Sequence, residues 1–339
     1  MNFNFFFRIN NLLVLSFLFC FLFYSSIPAQ DQFSESIDYL HTESESFKAK
    51  IIKFAVRLMG MKSMIENDLN SGKIEQKPIP IPNSLKSNYD WTETEVSGQK
   101  IWSLSPKSLS SNKVILYLHG GAYIYNVTVQ HWDIIEKLLE QTHSTVIIPD
   151  YPLAPNKKAK DVYLFLDIFY KELLKSSSSE NLIIMGDSAG SGLTLGFTQF
   201  LIKEKKPLPS QIILLSPWLD VTMSNPDILS VDNDDKILGI KGLQLAGKTY
   251  AGDWNENDYR VSPIYGEVKG LPMISIFIST HDLFIADSRK FKKRLQSEKI
   301  HFNYFEYPKL FHDWVIITGL AESEHALNQI KNLINGKSN

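Results

Sequence analysis

Four short stretches hold residue types that could act together on a carbonyl group, and the clearest surrounds Ser188. Leu182-Ile183-Ile184-Met185 reads as a buried strand and runs straight into Gly186-Asp187-Ser188-Ala189-Gly190, where a helical pattern begins. In Gly-x-Ser-x-Gly the flanking glycines let the backbone turn tightly from strand to helix, which holds the serine hydroxyl above the sheet edge. The first amides of that helix point at the same spot, where an anion could be held. A Gly-x-Ser-x-Gly alone can arise by chance among loop residues. The strand before it and the helix after it are what make Ser188 a candidate nucleophile.

The second stretch, His119-Gly120-Gly121-Ala122-Tyr123, follows directly on the apolar run Val114–Leu118. Two glycines after a strand let backbone N–H groups turn inward with no side chain in the way, the geometry that binds a developing oxyanion. The plain alternative is a Gly-Gly turn. Lying one strand-helix-strand-helix segment upstream of Ser188, the loop fits the second half of an oxyanion hole.

These motifs resemble the hormone-sensitive-lipase-like esterases of the α/β-hydrolase fold, marked by a His-Gly-Gly loop and Gly-Asp-Ser-Ala-Gly at the nucleophile. Asp150-Tyr151-Pro152-Leu153-Ala154-Pro155, Ser216-Pro217-Trp218-Leu219-Asp220 and Ser262-Pro263-Ile264-Tyr265-Gly266 share the likeness, which runs from about Val114 to Trp314. Ala122 stands where glycine is usual, Asn156 where glutamate is usual, and His281-Asp282-Leu283 where Asp-Pro-Leu is common. None of these departures touches a catalytic role.

The resemblance implies a triad in the chain order Ser, Asp, His. Asp282 lies just past the apolar run Ile274–Ser279, at the strand end where ligand sites form in open α/β sheets. Asp287 is its near rival, but a place in the following helix favours capping or a surface role. His312 follows the strand pattern Phe302–Tyr307 and would take the Ser188 proton while Asp282 fixes its tautomer. Gly121, Ala122 and Ala189 would donate backbone N–H groups to the oxyanion, with Gly120 shaping the loop. The implied reaction is carboxylic-ester hydrolysis through an acyl-enzyme, on a small-molecule ester and without a cofactor. A histidine base sets the acid limb of activity near ~6.5 before its carboxylate neighbour acts.

Other polar residues receive plainer readings. Of eight histidines, His41, His131, His143, His301 and His325 lie in or beside helical patterns and read as ordinary polar residues. His281 falls on the opposite side of the backbone from Asp282, and His119 braces its own loop. No His/Cys/Asp cluster has metal spacing. Asp232-Asn233-Asp234-Asp235 lacks the central glycine and closing glutamate of a calcium loop and reads as a solvated turn. Asn126-Val127-Thr128 is a glycosylation acceptor pattern.

The elements that position these residues follow an α/β rhythm. From Lys113 onward short apolar runs alternate with helical patterns, which predicts a mostly parallel sheet covered on both faces. Before it, Asp90–Val96 and Gln99–Leu104 read as a hairpin turning at Ser97-Gly98. Gln30–Asn70 reads as helical on spacings of three and four, and Pro78, Pro80 and Pro82 mark an extended linker. The polar stretch Asp220–Tyr259 breaks the rhythm, apart from a weak helix near Ile240–Tyr250. The resemblance implies a small helical cap built from residues 30–85 and an insert spanning 220–259 over a catalytic domain of 86–339. Phe33, Phe47, Phe54, Met59, Met61 and Met64 on one side, with Ile237, Leu238, Ile240, Leu243 and Leu245 on the other, are expected to roof a pocket for short acyl chains.

Composition sets the outer bounds. With 339 residues, 44% hydrophobic and 21% charged, the chain has an ordinary globular make-up. Lys and Arg (35) nearly balance Asp and Glu (37), so no basic stripe suggests nucleic acid. Arg8, the apolar run Leu12–Tyr24 and the small residues up to Ala29 read as a secretory signal over residues 1–29, for export to a periplasm or the exterior. An uncleaved anchor is the alternative, though the run falls short of the ~20 residues that a spanning helix needs. The single cysteine, Cys20, lies within it, so a cleaved chain has no disulfide and no stable membrane insertion is expected of it. Phe19 before Cys20 speaks against a lipoprotein site. A lactonase or carbohydrate deacetylase would share the same triad and differ only in its pocket. A peptidase would be expected to carry a second large domain. A non-catalytic binding protein would be expected to have lost a triad or oxyanion residue, and none is missing.

Overall fold

Apolar runs of five to seven residues have no polar face to offer water, so they settle as strands covered on both sides. A computed structural model describes residues 36–108 and 111–336. The signal reading over residues 1–29, Cys20 and Phe33 lie outside the described residues. One sheet holds β1 (Asp38–Leu40), β2 (Tyr89–Val96), β3 (Gln99–Pro106), β4 (Val114–Leu118), β5 (Thr145–Pro149), β6 (Leu182–Asp187), β7 (Gln211–Leu215), β8 (Met273–Ser279) and β9 (Phe302–Tyr307). Its order is β1-β9-β8-β7-β6-β4-β5-β3-β2. Strands from β1 through β5 in that order pair in parallel, and β3 and β2 add an antiparallel edge. The expected hairpin is present, with Ser97 and Gly98 both at positive φ (51° and 78°), the turn whose twist matches its strands.

Successive side chains on each strand feed opposite cores. Leu182 and Ile184 of β6 join one cluster while Ile183 and Met185 join the other. The first core is closed by α5 (Ala159–Leu173), α6 (Ser188–Lys203) and α8 (Ile285–Ser297), the second by α4 (Val129–Thr142) and α9 (Ala321–Ile334). The remaining helices are α1 (Phe47–Met59), α2 (Met64–Ser71), α3 (Asn83–Asn88) and α7 (Ile240–Ala251).

The N-terminal part departs from the sequence reading. Residues 38–40 form no helix but a strand parallel to β9, and the Ile37 carbonyl accepts the Tyr304 N–H. β9 would otherwise present an open edge, and the row of backbone groups there outweighs the helical spacing of Ile37 and Leu40. α1 departs further, because its Phe47, Phe54 and Met59, like Met64 at the start of α2, are exposed and roof nothing. Ala49 and Ile52 pack α1 on the second core, and polar groups tether it further. Ser46 caps α1 and binds Glu322, Lys48 donates to the Gly319 carbonyl, and Lys53 donates to the Lys309 carbonyl. α2 does meet the insert, packing against α7, where Leu238 and Leu243 are buried.

The contact depends on Gly242, where a side chain would sit on the Ile65 Cβ and the Glu66 amide. Gly242→Leu is therefore expected to lower unfolding free energy by about 1–3 kcal/mol. Lys241→Leu, one residue away on the exposed side, should change it by less than about 0.5 kcal/mol. Urea denaturation of both variants checks the difference.

Candidate active site

β6 ends at Asp187 and α6 begins at Ser188, whose φ is +49°. A serine rarely holds that conformation unless its surroundings enforce it. Here they do. A Cβ at Gly190 would run into the carbonyls of Leu118 and His119, so only glycine lets α6 come this close to the end of β4. Ser191 Oγ donates to the Gly186 carbonyl and accepts the Leu215 N–H at 2.8 Å, and the Trp218 N–H donates to the Ser188 carbonyl at 3.1 Å. Below the turn, buried Asp187 accepts from the Tyr117 hydroxyl at 2.8 Å and lies 3.3 Å from His131 Nε2. Burial alone would raise Asp187, but His131 and the Tyr117 hydroxyl hold it below the usual carboxylate range. His131, read as an ordinary helix residue, thus serves the base of the nucleophile turn.

The loops after β8 and β9 carry the other two groups. Ser279 at the end of β8 stitches them together, its hydroxyl donating to the Leu310 carbonyl and accepting the Leu310 N–H, both at 2.8 Å. Asp282 Oδ2 then lies 2.9 Å from His312 Nδ1, and His312 Nε2 lies 2.9 Å from Ser188 Oγ. The second oxygen of Asp282 accepts the Phe284 N–H at 2.9 Å, and the Phe284 ring stands edge-on to the imidazole at 5.1 Å. All three groups are buried. The arrangement can pass the Ser188 proton to His312 while Asp282 holds the far side of the ring.

Asp287 takes no part in this line. It is fully buried rather than on the surface, accepts from Asn225 at 2.9 Å, and is pushed up to about 6 by burial. The loop of the second motif bends through three consecutive positive φ values, at Gly121 (107°), Ala122 (52°) and Tyr123 (61°). Ala189 is the second residue of α6, so its N–H is one of those a helix leaves without an internal acceptor. Gly120 lies against Asp187, with no room for a side chain. His119 stacks on Tyr151 at 4.3 Å and pairs its Nδ1 with the Gly120 carbonyl, and burial drives it down to about 3. It is neutral at any physiological pH. Asn126 is buried and donates to Asp150 at 2.6 Å, which removes it as a glycosylation acceptor.

Two carboxylates at the site escaped the sequence reading. Asp313 Oδ2 lies 3.0 Å from His312 Nε2, the nitrogen that also faces Ser188. Asp235 belongs to the stretch read as a solvated turn, yet it is fully buried. One of its oxygens accepts the N–H groups of Ile237 and Leu238, and the other accepts that of Leu283, beside Asp282. Its neighbours Asn233 and Asp234 are exposed, so four polar residues in a row hid one that turns inward. Burial, then the charge of Asp282, push Asp235 up to about 6. Burial would lower His312, but the charges of Asp313 and Asp282 and their hydrogen bonds outweigh it and raise the imidazole well above 6.5. Asp313 itself is pushed up to about 7 by burial, against the pull of His312.

A parallel sheet with helices on both faces, a serine on a strand-to-helix elbow and a buried Ser-His-Asp line define an α/β-hydrolase. Residues 115–316 match the model of a family described by the alpha/beta hydrolase fold, and the chain belongs to that family. An esterase of Acinetobacter venetianus is 30% identical over 200 residues, covering 58% of this chain and 66% of its own length. A triacylglycerol lipase of Mycobacterium tuberculosis is 26% identical over 276 residues, covering 80% of this chain and 58% of its own. The chain thus spans less than two thirds of either relative. A Staphylococcus aureus protein solved as a candidate esterase superposes with a TM-score of 0.72 at 28% identity, over 76% of this chain and 86% of that one.

The electrostatics of His312 have a measurable sign. A base must be neutral to accept a proton, so raising its pKa moves the acid limb of kcat/KM above pH 6.5, higher than the free imidazole would place it. Asp313 is the largest influence pushing it up, and the limb reports the His312–Asp313 pair as a unit. Asp313→Asn, tolerated at φ +56° because asparagine accepts that conformation, should move the midpoint to lower pH. A pH profile of kcat/KM for both proteins checks this, and an unmoved midpoint contradicts it.

Proposed function

We propose that this α/β-hydrolase is a serine carboxylesterase that acts on short-acyl esters of small molecules. One observation carries the reading, the continuous line from Asp282 Oδ2 through His312 to Ser188 Oγ, with 2.9 Å at each step. Ser188 Oγ attacks the ester carbonyl carbon as His312 Nε2 takes its proton. The N–H groups of Gly121, Ala122 and Ala189 hold the resulting oxyanion, and Gly120 shapes their loop. Collapse expels the alcohol, which leaves with the His312 proton. Water, deprotonated by the same nitrogen, then releases the acid and restores Ser188. Asp282 keeps the imidazole oriented and offsets its charge at both stages.

A buried aromatic column supports the limit on acyl length. Tyr250 of α7 stacks on Tyr123 at 3.7 Å, Tyr123 on Trp218 at 5.5 Å, Trp218 on Phe284 at 5.8 Å, and Phe284 meets His312. These rings link the 220–259 segment to His312, and in this reading their packing walls the acyl site. In this reading α2 and α7 form the cap. Export belongs to the proposal too, supported by Arg8, the apolar run Leu12–Tyr24 and the small residues up to Ala29. No helix among the described residues is long and apolar enough to cross a membrane.

Ser188→Ala should leave the fold intact and cut ester turnover by ~10⁴-fold or more. Turnover within about tenfold of the parent would overturn the assignment. On p-nitrophenyl esters, kcat/KM should gain with each buried methylene, peak at about two to six carbons and fall once the chain must displace packed rings. A maximum at about twelve carbons or more would mean an open groove.

A further inference from the structure

α1 presents the wrong face to water for a helix that only packs on a domain. Phe47, Ile51, Phe54 and Leu58 fall at spacings of four, three and four, which aligns them on one stripe. They are 77%, 52%, 62% and 72% exposed. On its inner face Ala49 is buried and Ile52 packs against the second core, and a cap and two lysines add polar ties, so the exposed stripe is a second apolar face that the domain leaves uncovered. Packing normally buries the stripe and leaves the charges outside.

The charges say what the stripe faces. From Phe47 to Lys62 the sequence carries Lys48, Lys50, Lys53, Arg57 and Lys62 and no acidic residue. Lys53 pairs with Glu45, and Lys62 with Asp232. Lys50 and Arg57 form no ion pair among the described residues, and their helical positions flank the stripe on one side while Lys48 flanks it on the other. An apolar stripe between cationic borders is the pattern of a helix that lies in a membrane interface, its rings at the acyl boundary and its cations among anionic headgroups.

We propose that α1 docks this protein on an anionic lipid surface, with Phe47, Ile51, Phe54 and Leu58 inserted and Lys50 and Arg57 among the headgroups. Docking would hold the helix beside the loop of His312, because Lys53 of α1 bonds the Lys309 carbonyl three residues ahead of it. The proposal stands apart from the esterase reading, and it is tested without substrate.

The test places an environment-sensitive fluorophore on Phe54→Cys in the full chain, with Cys20→Ser so that the label is unique. Phosphatidylcholine vesicles with and without phosphatidylglycerol are then titrated in, and circular dichroism checks the fold of each variant. A blue-shifted, brightened emission with phosphatidylglycerol vesicles alone is expected, weakened by salt, with no change for the same label on Lys171→Cys of α5. Adding Lys50→Glu and Arg57→Glu should weaken the vesicle response by about tenfold or more. The proposal falls if the label stays in an aqueous environment with phosphatidylglycerol vesicles, or if it responds equally to phosphatidylcholine alone. It falls equally if the emission is already blue-shifted before any vesicle is added, since another part of the chain would then cover the stripe.

Discussion

One buried imidazole ring organises the functional half of this molecule. His312 must meet Ser188 with one nitrogen and Asp282 with the other, both at 2.9 Å, and the three residues follow three different strands. That is possible because β6, β7, β8 and β9 are parallel neighbours, so the loops after β6, β8 and β9 emerge at one sheet edge. The ring is too buried to be positioned by water. It depends on Ser279 joining the loops of Asp282 and His312 and on Gly190 letting α6 approach β4. Shifting any one of those strands would open the line.

Burial also gives the site its electrostatic character. Asp282, Asp313 and Asp235 surround a single imidazole, and burial in low dielectric works against the charged forms of Asp313 and Asp235. Asp235 and Asp313 accordingly sit at about 6 and about 7 while His312 is held high. The insert is part of this balance. It reaches the loop of Asp282 at Leu283 through Asp235, helix α8 at Asp287 through Asn225, and the Gly-Gly loop at Tyr123 through Tyr250. These contacts tie the segment to the surroundings of His312.

What was legible in the sequence was local. The strand pattern before Ser188, the Gly-Gly loop after β4 and the loops bearing Asp282 and His312 could be read because each rests on short-range periodicity or on a backbone turn that only a few residues allow. What was not legible depends on distant partners. Asp235 looks like its solvated neighbours until the Leu283 N–H is seen to point at it. Asp313 differs from any loop aspartate only in facing the same nitrogen as Ser188. Residues 38–40 carry a helical spacing, and the open edge of β9 draws them into a strand. The stripe of Phe47, Ile51, Phe54 and Leu58 in α1 faces outward, because amphipathic spacing says which residues share a face and not which way that face looks.

The central claim is that Ser188 is the one nucleophile activated by this buried line. It is tested most directly by treating the protein with a fluorophosphonate, which phosphonylates an activated serine, and locating the adduct by peptide mass spectrometry. The account predicts a single adduct on Ser188, lost when His312 is replaced by alanine. An adduct on another residue, or an unreactive Ser188 in the folded protein, would contradict it.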